Sequence, residues 1–207
     1  MVTISNMTMI PKGVRMRNSP FITVIFCGTN LTRLPDDLGQ AWDHAFTFFF
    51  ELSPGLKELP ASVSEWQVSA LSLSSNGIEF IPKGTRFGDS VSALSLGFNP
   101  VRSIPSSIME LPSLTFIDAR GTDISELPAP TSIGQGSSSG GDGGMTPPKV
   151  VEAAGSPMCE RMLQPPAPGE SGGGSEPQTI VNCEDPLTVR TWYPLSQSFK
   201  YFAMTSE

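Results

Sequence analysis

An aliphatic residue followed by proline recurs six times along this chain, as Ile10-Pro11, Leu34-Pro35, Leu59-Pro60, Ile81-Pro82, Ile104-Pro105 and Leu127-Pro128. Successive prolines stand 24, 25, 22, 23 and 23 residues apart. A segment of that length cannot bury an apolar face by itself, so units repeated at this period must stack on their neighbours. The spacing therefore predicts a repeat architecture rather than a closed globule.

Aligning the units on the proline brings other columns into register. An apolar residue lies three positions before each aliphatic-Pro pair: Met7, Leu31, Leu56, Ile78, Val101 and Ile124. Two positions earlier a small or polar column reads Ser5, Thr29, Pro54, Asn76, Asn99 and Thr122. Asn suits a turn out of a strand because its amide bonds backbone groups, and Ser or Thr does so more weakly. Upstream, Val68-x-x-Leu71-x-Leu73, Val91-x-x-Leu94-x-Leu96 and Leu114-x-x-Ile117-x-Ala119 alternate with the period of a half-buried strand. After the proline an aliphatic residue returns as Val14, Leu38, Val63 and Ile108, while Thr85 breaks the column and predicts a looser turn. The unit from Phe46 to Leu56 fits least well. Its favoured register buries Phe48, Phe50 and Leu52, because the alternative places Glu51 in a core column, where an unpaired carboxylate is costly.

Together these columns resemble the leucine-rich-repeat family, pattern L-x-x-L-x-L-x-x-N-x-L-x-x-L-P, over roughly residues 1–128. The resemblance implies an α/β solenoid, a horseshoe with short parallel strands on its concave face and irregular or helical turns on its convex face. Val2 aligns with Leu96, so the array is expected to start in mid-strand, as a piece of a longer solenoid. Residues 129–149 form a Gly/Ser/Pro-rich insertion expected to be flexible, since such composition buries too little to offset ordering entropy. Within 150–163, Val151-x-Ala153-x-x-Ser156-Pro157-Met158 repeats the spacing of Leu94 to Val101 and reads as a degenerate terminal repeat. The remainder, 164–207, is expected to be mostly irregular, although Trp192, Tyr193, Phe199 and Tyr201 make its end too aromatic for a plain tail.

A net charge of −7 and scattered Lys and Arg argue against nucleic acid. No run of apolar residues is long enough to span a membrane. The single histidine, His44, has no nucleophile tied to it by motif and no close Cys pair accompanies it, so no catalysis, metal or cofactor is expected, with a hydrolase using His44 as base the remote alternative. What remains is protein recognition. Residues between the core positions of each strand should face outward, and in the middle units these are small. Only the carboxyl side of the sheet offers Phe98, Phe116, Asp118 and Arg120, the types on which binding energy concentrates. This group is the expected partner-binding patch, with an Asp118–Arg120 pair on an ordinary surface as the plainer alternative. Asn6-Met7-Thr8 and Asn30-Leu31-Thr32 match the N-glycosylation pattern, which repeat periodicity alone could also produce. Cys159 and Cys183 could pair in a secreted protein or stay as thiols in a cytosolic one. The compartment is left open between a receptor-like, membrane-associated protein and an intracellular scaffold.

Overall fold

The computed structural model describes residues 7–17, 19–128, 149–164 and 179–184. Among these, seven strands form one all-parallel sheet: β1 (Thr23–Cys27), β2 (Thr47–Glu51), β3 (Ala70–Ser72), β4 (Ala93–Ser95), β5 (Phe116–Asp118), β6 (Lys149–Glu152) and β7 (Thr179–Asn182). Their order in the sheet is their order in the chain. Among the described residues the strands are connected through loops, 3-10 turns and short helices: α1 (Leu38–Ala41), α2 (Ser106–Met109) and α3 (Pro157–Met162). Ser156 caps α3, accepting a bond from the Cys159 N–H, and Pro157 stands at the first helical position, where no donor is needed. This arrangement is compatible with an α/β solenoid.

The register follows the apolar columns. Leu71 pairs with Leu94, Leu94 with Ile117 and Ile117 with Val151. All four are fully buried, as are Leu73, Leu96, Ala119 and Ala153 one pleat further on. Removing each of the leucine, isoleucine and valine side chains from water contributes about 2 kcal/mol. At the amino-terminal side the core is aromatic instead. Phe48 meets both Trp42 and Trp66 edge-on, with ring centroids 5.7 and 5.3 Å away, and Phe26 stacks on Phe50 at 5.8 Å.

The polar column closes the strands as its chemistry requires. Asn99 Nδ2 donates to the carbonyls of Leu73 and Leu96, both at 2.8 Å, while its Oδ1 accepts from Ile78 N–H at 3.1 Å. Asn76 makes the same three-way bridge to Phe50, Leu73 and Ser53. One amide thus satisfies backbone groups in two successive units, which a hydroxyl cannot match. Thr122, for comparison, reaches only the Ala119 carbonyl, at 2.7 Å.

Four details depart from the sequence expectation. Ser53, not Pro54, occupies the polar column, sharing a 2.6 Å bond with Thr29 Oγ1. One extra residue lies between Ser53 and buried Leu56, which accounts for the 25-residue interval of that unit. Phe48 and Phe50 enter the core as expected, but Leu52 does not. It lies in the following turn at φ 54° and is half-buried. Val14 is exposed rather than in the core, because its 3-10 turn contributes no buried residue. A strand, β7, forms where the sequence offers no assignable element, pairing with β6 from Lys149↔Thr179 to Glu152↔Asn182.

The insertion at 129–148, Asn6, and the aromatic residues from Trp192 to Tyr201 lie outside the described residues, as does the expected mid-strand start.

Candidate recognition surface

Alternation within the strands sends three rows of side chains to the face of the sheet turned away from the core. The first runs Thr23, Thr47, Ala70, Ala93, Phe116, Val150 and Ile180; the second Ile25, Phe49, Ser72, Ser95, Asp118, Glu152 and Asn182. The third continues past the strand ends through Cys27, Glu51, Ser74, Gly97 and Arg120.

The second and third rows are not the exposed surface that alternation alone suggests. Cys27, Phe49, Glu51, Ser72, Ser74, Ser95, Asp118, Arg120 and Glu152 are all buried. From Glu51 to Arg120 their polar groups form a continuous chain. Ser72 Oγ donates to the Glu51 carboxylate and lies 3.4 Å from Ser74 Oγ. The Ser74 and Ser95 hydroxyls share a hydrogen bond, and Ser95 Oγ donates to Asp118 Oδ2 at 2.7 Å. Asp118 is gripped from its other side by Arg120, with Nε to Oδ1 at 2.7 Å and Nη2 to Oδ2 at 2.9 Å. A parallel pair of bonds of this kind is the strongest arrangement available to a carboxylate and a guanidinium. Gly97 makes it possible, since a Cβ at that position would stand 2.9 Å from Asp118 Oδ2. Further along, Asn182 Nδ2 donates to Glu152 Oε1 at 3.3 Å.

Buried ionic groups survive only when paired and hydrogen-bonded, and this row supplies partners for Glu51 and Asp118. Glu51 therefore is buried after all, on the face opposite the core. The hydroxyl of Ser72, two strand positions from its neighbour in register, makes that placement tolerable. The Cys27 thiol is pushed up to about 11, chiefly by burial and further by the nearby Glu51 carboxylate. At neutral pH it stays protonated and unreactive.

Of the four residues expected to bind a partner, Asp118 and Arg120 turn to each other inside the protein, with side chains 0% and 4% exposed. Phe116 is half-buried and Phe98 is exposed. Phe98 belongs to a column that sequence alignment leaves unremarked. Gly28, Leu52, Ser75, Phe98, Gly121 and Gly155 follow six strands in turn and all adopt positive φ, from 54° to 73°. Glycine is at ease in that conformation, whereas a bulky side chain is strained by roughly 1–2 kcal/mol. Phe98 is held there at φ 58° with the residue 38% exposed. The ring sits against Gly121 of the next unit, where an added Cβ would come within 2.8 Å of it. The glycines at 28 and 121 hint at this column in the sequence, but Leu, Ser and Phe between them hide it.

The remaining candidates lie elsewhere. His44 is exposed and stands 4.0 Å from Asp43, in the turn after α1. Among the described residues no cluster of His, Cys, Asp and Glu is placed to hold a metal ion. No helix among them is long and apolar enough to cross a membrane. Cys159 and Cys183 are joined in a disulfide with their Cα atoms 5.5 Å apart, tying α3 to the residue after β7. Asn30 is exposed on the turn after β1.

No family model, curated protein or solved structure matches the chain.

Proposed function

We propose that the chain is a leucine-rich-repeat protein whose solenoid recognises another protein, without catalysis or a cofactor, in an oxidising compartment. The repeat columns support the family, and the sequential parallel sheet is the architecture they demand. The reading of a ligand-binding segment in a receptor-like protein is favoured over an intracellular scaffold by the Cys159–Cys183 bond, since cytosolic thiols are ordinarily kept reduced.

Phe98 carries the recognition reading. An exposed aromatic ring kept in a strained turn, on a glycine seat in the next unit, is disadvantageous for folding alone. Strain of this kind gathers at functional positions, and aromatic rings dominate binding energy. Phe116, half-buried in the next strand, extends the patch, while Asp118 and Arg120 stiffen the sheet beneath it rather than meeting the partner.

This yields a test in which binding and stability part company. Phe98→Gly relieves the left-handed strain and loses only a half-exposed ring, so unfolding free energy should stay within about 1 kcal/mol of wild type. Capture of the partner from the native source should fall by tenfold or more, as for a hot-spot aromatic. Equal capture by Phe98→Gly would remove the patch from consideration.

A further inference from the structure

We propose that Asn30 is an N-glycosylation site, carrying an oligosaccharide on the side-chain amide in the mature protein. The tripeptide Asn30-Leu31-Thr32 is presented in the manner the modification requires. Thr29 and Leu31 point inward and are buried, at 2% and 0% exposure, so the two residues that matter, Asn30 and Thr32, are both held outward. Burial of Leu31 in the core fixes this alternation. The tripeptide recurs in register one unit earlier, as Asn6-Met7-Thr8, but not in the units that follow. The equivalent positions in later units are Gly77, Pro100 and Asp123, and at Gly77 a Cβ would lie 2.3 Å from the Pro54 carbonyl oxygen. The fold does not call for asparagine at this position.

The second observation is independent. The Cys159–Cys183 disulfide places the protein where thiols are oxidised, and in eukaryotic secretion that is also where asparagine-linked sugar is added. The donor is a polyprenyl-diphosphate-linked oligosaccharide. The Asn30 amide nitrogen forms a bond to the anomeric carbon of the first sugar, and the bond from that carbon to the diphosphate oxygen breaks. The diphosphate leaves with the electron pair, and the amide proton passes to the acceptor base. No redox change is involved. A sugar here stands three strands from the unit of Phe98, roughly 14 Å along the sheet at ordinary strand spacing, so the two can coexist.

The inference rests on the oxidising compartment proposed above and not on the partner. The test uses the full chain purified from its native cells without reductant. Peptide N-glycosidase in heavy-oxygen water should convert Asn30 to a labelled aspartate. Thr32→Ser should keep the label, and Thr32→Ala should abolish it. An unlabelled Asn30 in wild-type protein overturns the site. If Cys159 and Cys183 are still bonded in that sample, the compartment reading stands without it; if they are free thiols, both fail together. The partner reading is left to the Phe98 experiment in either event.

Discussion

Replacing Arg120 with alanine should destabilise the protein by about 3–5 kcal/mol, the usual consequence of leaving one member of a buried ion pair alone. The reason is local. Asp118 is fully buried, and its carboxylate is shared between the Arg120 guanidinium and the Ser95 hydroxyl. Without the guanidinium the charge keeps the Ser95 hydroxyl and the backbone N–H of residue 120, at 2.7 and 3.2 Å, and loses its counter-ion. Asp118→Ala should also destabilise, because it removes both carboxylate oxygens that the Arg120 guanidinium bonds. The double variant Asp118→Ala/Arg120→Ala should be less unstable than the two single losses added together, by about 1–3 kcal/mol, since it removes both charges at once. Urea denaturation of the four proteins measures each value. Additive losses would mean that the two side chains do not act as a pair.

The second large effect concerns the disulfide. Cys159 and Cys183 are 24 residues apart, and opening a loop of this size releases about 3 kcal/mol of chain entropy to the unfolded state. The native state is affected unevenly. β7 has one strand neighbour among the described elements, β6, and Ile180 at its centre is exposed. Beside the ladder and the sulfur bridge it is held by Val181, partly buried against the core, and by the Asn182–Glu152 hydrogen bond. Cys183→Ser should therefore lower overall stability by about 3 kcal/mol and free the amides of residues 179–182 to exchange. The amides of β3 and β4, set between fully buried leucines, should remain protected. Uniform acceleration across all strands would contradict this division.

The path from sequence to fold was open wherever a column had one purpose. Leucine at 71, 73, 94 and 96 has nowhere to go but the core, and Asn76 and Asn99 bridge units because an amide alone offers donors and an acceptor together. Register in the Phe46 unit was readable from Phe48 and Phe50, but the extra residue before Leu56 displaced the polar column from Pro54 to Ser53. β7 was hidden for a physical reason. Four residues, Thr179 to Asn182, carry too little pattern to stand out, and what fixes them is a ladder to β6 and a bridge between distant cysteines.

The surface was less legible than the core. Strand alternation says which way a side chain points, not whether water reaches it, so Asp118 and Arg120 looked like anchors while being a buried pair. The serines at 72, 74 and 95 seemed blank for the same reason, yet they link Glu51 to Asp118. Phe98 was noticed for its aromatic ring. Its strained backbone, the better argument, emerges only when Gly28, Gly121 and Gly155 are seen to share its conformation.

The central claim, recognition through the turn at Phe98, is tested most directly by a photoreactive phenylalanine analogue at that position, with the same group at exposed Glu65 on the 3-10 turn across the molecule as control. Irradiation in the native cells should join one protein species to position 98 and none to position 65. Equal labelling at both positions, or none at 98 from a chain that folds, would contradict it.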